Sequence, residues 1–289
     1  MNAFVKFLGE RTDARPLAVA RIVIGGVAFL RALVSYHLFD RVLISGVVRA
    51  REYEWVPDMT RAAMPWYTGV WLLVAAAFAL GYRTRLSGTI LFGLIVYHLA
   101  AGQSFFWSHI YFLGCLVLLL TVADAGADLS RDWMSRGGGR RTVPRWGVAL
   151  LKLHITIVYG FAAIAKLNPE FLSGAVLERA LLRPEFLKTP EIVVALAWSS
   201  VAFEGCMAIA LWMKPLRSWA IVAGVLFHAA IPVSIGLTGG LVVFSASIVG
   251  TYVLFLDREE FAAAESFVLR ALDAIGFRRA RMFLASPRN

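Results

Sequence analysis

The chain has 289 residues, of which 59% are hydrophobic and only 17% charged, with a mean hydropathy of +0.70. That balance excludes an ordinary soluble domain. The formal net charge of +10 sits largely in arginines between apolar runs, where it marks membrane topology and headgroup contact rather than nucleic-acid binding.

Residues 1–15 predict a short amphipathic or irregular lead with Lys6, Arg11 and Arg15; no apolar core and cleavage site mark a signal peptide. A first span follows over 16–39, interrupted by Arg21 and Arg31. Residues 40–65 mix arginines with Asp40, Glu52, Glu54 and Asp58, and Trp55 and Trp66 lie beside prolines, which predicts an interfacial segment. Spans two and three, 66–80 and 86–101, are joined by the basic turn Tyr82-Arg83-Thr84-Arg85. The uncharged turn 102–108 leads to span four, 109–122. The loop 124–145 gathers arginines around Gly137-Gly138-Gly139 and reads as the most basic and most flexible connection. Span five is 146–166, a second interfacial segment 167–190, and spans six to eight 191–213, 216–237 and 241–256. A C-terminal helix over 258–285 has apolar residues at helical spacing and is expected on the headgroups. Cys115 and Cys206 lie within apolar runs and read as small core residues.

The predicted fold class is all-α: one polytopic membrane helix bundle of about eight transmembrane helices plus interfacial amphipathic helices, a single domain over 1–289. Counting Lys and Arg places both termini in the cytoplasm, and the expected location is a bacterial cytoplasmic membrane. On that topology Lys166, His109, His98 and His37 approach the extracytoplasmic side. His228 lies mid to outer in span seven, and His154 near the midplane. No metal-ligand spacing such as HExxH occurs, so no metal is expected.

Lys166 stands near the far end of an apolar run, and an ammonium inside hydrocarbon costs about 2.5 kcal/mol or more. It is either a snorkelling anchor or a chemical group. Tyr159, seven residues earlier, shares its face, while His154 lies about 18 Å lower along the helix. Glu204, in the middle of span six, needs a partner or a proton, and Arg21, His154 and Lys152 are candidates by depth. Arg21, His37, His98, His154 and Glu204 together form the candidate substrate or proton relay.

Three stretches carry a resemblance: FFWSHIYFLGCLVLLLTVADAGADLSRD, IVYGFAAIAKLNPEFLSG and FHAAIPVSIGLTGGLVVFSASIVGTYVLF. Together, over about residues 15–257, they resemble the transmembrane core of vitamin K-dependent gamma-carboxylases and the wider bacterial HTTM family. The resemblance implies an active-site amine at Lys166, a quinone-contacting imidazole at His109, and a polar wall residue at His228. Tyr111 and Tyr159 match aromatic motif positions expected to border the quinone ring, with Trp107 and Ser108 beside His109. The implied cofactor is a reduced vitamin K or menaquinone-like lipid quinone, with oxygen, and by family inference carbon dioxide, as co-substrates. Departures are Ser108 for the family's asparagine, Ala165 for a lysine of the animal enzymes and Phe171 for a tryptophan. The animal enzymes' large extracytoplasmic domain has no counterpart here, so protein-directed glutamate carboxylation is not expected. Expected partners are membrane lipids, the quinone and a small partner protein or peptide substrate, with no nucleic acid. The function the resemblance implies is a carboxylase-like membrane enzyme. It oxidises the reduced quinone with oxygen to generate a base, activated by Lys166, for proton abstraction or carboxylation of an unknown substrate. Two other readings stand beside it. One is a non-catalytic maturation or lipid-binding factor of the same family. The other is a small proton-coupled transporter with Glu204 and His154 as relay.

Overall fold

Apolar segments in hydrocarbon must satisfy every backbone N–H and C=O internally, and a helix does so within one segment. A computed structural model of the chain describes residues 3–44, 53–101, 106–139, 141–182, 185–236 and 238–274. Parts of seven expectations lie outside the described residues: 1–2 of the lead, 45–52 of the first interfacial segment, 102–105 of the uncharged turn, Arg140 of the basic loop, 183–184 of the second interfacial segment, 237 of span seven, and 275–285 of the C-terminal helix. In order, the elements are α1 (Ala3–Gly9), β1 (Arg11–Asp13), α2 (Arg15–Ile44), α3 (Met64–Leu80), α4 (Thr84–Ala100), α5 (Ser108–Val122), α6 (Arg131–Ser135) and β2 (Thr142–Pro144). There follow α7 (Arg145–Ala165), α8 (Pro169–Leu172), α9 (Ala175–Ala180), a 3-10 turn (Glu185–Lys188), α10 (Pro190–Ala210), α11 (Lys214–Ile235), α12 (Gly239–Thr251), a second 3-10 turn (Tyr252–Phe255) and α13 (Arg258–Ala274).

Among the described residues, four helices are long and apolar enough to cross a membrane: α2 over Arg15–His37, α7, α10 and α11. Four apolar helices are shorter: α3, α4, α5 and Gly239–Phe255. Leu73, Phe161, Trp219, Leu226 and Val233 are among the large apolar side chains that face outward, as lipid solvent requires.

The fold divides into two compact units, Met1–Leu151 with Leu256–Asn289, and Lys152–Phe255. In the first, α2 packs on α3 and α5, α3 on α4, and α4 on α5. Gly25 lets α2 and α3 touch: a Cβ there would stand 2.7 Å from the Ala79 Cα. The loop after α5 is then drawn onto this pair. Arg21, fully buried, donates to the carbonyls of Ala125 (2.6 Å), Leu129 (2.6 Å), Asp128 (3.3 Å) and Ala79 (3.4 Å). Its charge is thus answered by carbonyls at the end of α3 and in the loop after α5, a bundle contact.

The same loop caps α4. Arg83 precedes α4 at φ 44 and supplies no side-chain cap. The Asp132 carboxylate substitutes for it, accepting from the Arg83 N–H (2.8 Å), the Thr84 N–H (2.7 Å) and the Thr84 hydroxyl (2.9 Å). The stretch expected to be the most flexible connection therefore carries α6, a helix cap and β2. Its second half pairs antiparallel with the N-terminal lead, Arg11 opposite Pro144 and Asp13 opposite Thr142. Arg145 adds an ion pair to Glu10 (2.6 Å) and lies 4.5 Å over the Phe7 ring. Arg15 bonds Glu265 of α13 at 2.9 Å.

In the second unit, α10 packs on α8, α9, the first 3-10 turn and α11, and α11 packs on α12.

Burial pushes the Asp132 carboxyl up, but the Thr84 and Arg83 N–H groups, the Thr84 hydroxyl and Arg136 outweigh it and hold it below the ordinary value. A depressed carboxyl stabilises the fold above its unfolded value, near 3.9, and that contribution is lost as pH falls through the folded one. Asp132→Ala should therefore cost about 1 kcal/mol, read as a lower Tm in detergent near neutral pH. The difference from the unsubstituted protein should shrink below about pH 4.

Candidate functional site

α7 stops at Ala165 because the chain beyond it cannot stay helical. Asn168 precedes a proline and adopts an extended backbone, and Pro169 opens α8. The Asn168 carboxamide fastens both helices: Oδ1 accepts from the Phe171 N–H (2.9 Å), and Nδ2 donates to the Ala165 carbonyl (2.9 Å). Lys166 sits in the short junction between them. Its Nζ lies 5.6 Å from the centroid of the Phe171 ring and donates to Glu204 Oε2 at 2.5 Å. The lysine side chain is 27% exposed and the glutamate 8%. The amine thus stands at the open end of the pair and the carboxylate at the closed end.

Glu204 stands about 20 Å along α10 from Pro190, given about 1.5 Å per residue. α7 therefore ends level with a point about two-thirds of the way along α10, and the partner of Glu204 is Lys166 rather than Arg21, His154 or Lys152. Residues 167–190, read from sequence as interfacial, pack on α10 through α8, α9 and the 3-10 turn. Gly174, at φ +82, permits this: a Cβ there would come within 2.7 Å of Val193.

Deeper along α7, the Tyr159 hydroxyl is 2.8 Å from His228 Nε2 and also hydrogen-bonds the Tyr252 hydroxyl. Gly224, one turn before His228, makes room, since a Cβ there would lie 2.8 Å from Tyr252 Cζ and from Met207 Cε. His228 Nδ1 has no hydrogen-bond partner among the described residues. Lys166 is within electrostatic reach of His228, and Glu204 of Tyr159. An ammonium–carboxylate pair and a Tyr–Tyr–His chain are thus assembled in one unit.

His154 is half-buried in the same unit, and the Lys152 amine lies 5.7 Å over Trp212 and 5.4 Å over Phe255. The other candidates belong to the first unit. There Trp107 precedes α5 with its ring 5.7 Å from that of half-buried His109, and Ser108 is exposed. Tyr111 lines an apolar groove of about 680 Å³ between α4 and α5. His37 is exposed against Tyr36, whereas His98 is fully buried with its ring 5.6 Å from Trp71. Tyr252 is the member that sequence reasoning misses. A lone hydroxyl at the end of an apolar span carries no spacing signal.

A family model for the HTTM domain matches residues 10–260. The chain belongs to the HTTM family. The match spans both units and sets this HTTM protein, at a coarse level, among the vitamin K-dependent carboxylase-like membrane proteins. No solved structure matches it.

Removing one partner of a poorly hydrated ion pair costs more than removing both. Glu204→Gln in this HTTM protein should lower stability by about 2 kcal/mol, a value discounted for the partly exposed amine. The double variant Lys166→Met/Glu204→Leu should recover most of that loss, as thermal unfolding of all three proteins in the same detergent would report.

Proposed function

We propose that this HTTM protein is a carboxylase-like membrane enzyme in which Lys166 is the base and Glu204 its proton acceptor. The observation that carries the reading is the Lys166–Glu204 hydrogen bond, in which the carboxylate is buried and the amine partly open. In water such a pair stays ionised. With little hydration, ammonium–carboxylate and amine–carboxylic acid lie closer in energy. A proton can cross the bond to Glu204 and free the amine without leaving for solvent. A base that can pass its proton to a neighbour suits proton abstraction at a site that excludes water.

The group implied by the family is a reduced lipid quinone, which supplies two electrons and a reactivity toward oxygen. The residues suit an oxygen-bearing ring of that kind. The open end of the pair is an amine, and His228 Nδ1 is a buried nitrogen without a partner among the described residues. Lys166 would hold or take a proton at the ring oxygen, and His228 would orient it. Tyr159 and Tyr252 fix the imidazole through Nε2. The quinone-contacting role of His109, with Trp107, Ser108 and Tyr111 around it, follows from the motif resemblance. Carbon dioxide as co-substrate follows from the family alone.

The four long and four shorter apolar helices are read as eight crossings with both termini cytoplasmic and Lys166 toward the extracytoplasmic side. A non-catalytic binding factor is the second reading, favoured by the same pair, because an amine already answered by a carboxylate can be purely structural. The transporter reading needs Glu204 and His154 to act together, and Glu204 is bonded to Lys166 instead.

Reconstituted with menaquinol, the protein should consume oxygen, and Lys166→Ala should lower the rate at least about 100-fold while leaving the helical content unchanged. Absence of quinol-dependent uptake, with full function of Lys166→Ala in cells, would leave the binding factor as the reading.

A further inference from the structure

Among the described residues, the first unit buries a guanidinium with two nitrogens that no carbonyl answers. Arg31 lies on α2 beyond Arg21, 2% exposed. Its Nε and Nη1 have no hydrogen-bond partner among the described residues, and no carboxylate there acts on it. Arg21 on the same helix donates to four carbonyls. Arg21 leaves only its Nε unpartnered, whereas Arg31 finds no such carbonyls for its Nε or Nη1 among the described residues.

Helix register shows what surrounds it. Gly25 meets Ala79 where α2 and α3 pass in opposite directions. Moving along both helices from that point brings Arg31 and Ser35 beside Trp71 and Thr68. α4 completes the layer with His98, whose ring meets the Trp71 ring edge-on. Tyr67, His98 and His109 are within electrostatic reach of Arg31. Ser35 Oγ, Thr68 Oγ1 and Trp71 Nε1 also lack hydrogen-bond partners among the described residues, and all three residues are at least nine-tenths buried.

Native structures leave only a few per cent of buried polar atoms unpaired. Here a guanidinium, an indole N–H and two hydroxyls do so in one layer, with a positive charge and a surplus of donors. A neutral carbonyl would leave the charge unanswered. An anion answers it, and the planar fork of a guanidinium matches the two oxygens of a carboxylate edge.

We propose that Arg31, Trp71, Ser35 and Thr68 form a buried binding site for a small carboxylate-type oxyanion. Arg31 takes two oxygens of the ligand, and the indole and the hydroxyls complete its remaining acceptor sites. The ligand is an organic carboxylate or bicarbonate, which present the same edge. The site is independent of the amine chemistry of the second unit.

The test uses the full-length protein in nanodiscs at constant ionic strength, with sodium acetate, sodium bicarbonate or sodium chloride as the added anion. Acetate or bicarbonate should raise Tm saturably, by about 3 °C at ten times its Kd, with chloride much weaker. Whichever of the two oxyanions binds more tightly identifies the source. Arg31→Lys keeps the charge but loses the fork, and should weaken the oxyanion at least tenfold. Ser35→Ala and Thr68→Val should each weaken it several-fold, and they decide the matter if Arg31→Lys does not fold. Carbon-13-labelled acetate should show dipolar contact with nitrogen-15-labelled arginine in the unsubstituted protein and not in Arg31→Lys. Three results would overturn the site: no saturable shift, equal shifts with chloride, or a shift that survives all three substitutions.

Discussion

Glu204 closes on Lys166 about two-thirds of the way along α10, and much of the second unit is arranged so that it can. A dehydrated ammonium in an apolar bundle needs a partner close enough to replace water. That requirement explains why α7 ends early, why α8 and α9 fold against α10, and why a glycine with positive φ stands where they meet Val193. The same requirement recurs in the first unit with a different answer. There the Arg21 guanidinium donates to carbonyls at the end of α3 and in the loop after α5, so the charge fastens α2 to both. Arg31 sits between these cases, buried like Arg21 but without its carbonyls.

How the amine is held bears on what it can do. A lysine has a long, flexible stem, and on an exposed helix face its amine samples many positions. Lys166 is instead rooted where Asn168 ties the last turn of α7 to the first of α8, with Phe171 under the amine and Glu204 ahead of it. Behind it, Tyr159 and Tyr252 fix the orientation of His228. Membership of the HTTM family rests on the pattern of residues over most of the chain, whereas the ion pair is a hydrogen bond that the pattern does not specify.

Much of the fold was legible in the sequence because lipid solvent writes a coarse signal. The eight apolar runs all appear as helices, with ends within a few residues of those expected. Capping chemistry sets the differences, as where Pro190 and Thr84 begin their helices slightly early. The three-residue strands β1 and β2 were not legible, since neither is long enough to display an alternating pattern and each depends on the other across most of the first unit. Lys166 and Glu204 were both recognisable as charges out of place. Their pairing was not, because it depends on how far α7 and α10 are offset along their axes, and the short helices between them decide that offset. The order within the 124–145 loop was hidden for a similar reason: Asp132 acts on a helix that begins 48 residues earlier.

The second unit is bracketed by the first, entering within α7 and leaving at Phe255. Its opening residue, Lys152, places its amine 5.4 Å over the ring of its closing residue. Entry and exit are therefore neighbours, the arrangement found in segments that can be spliced into a host chain without stretching it. The unit carrying the amine is topologically a cassette, and variation in length or content between Lys152 and Phe255 can accumulate while the points of attachment stay fixed.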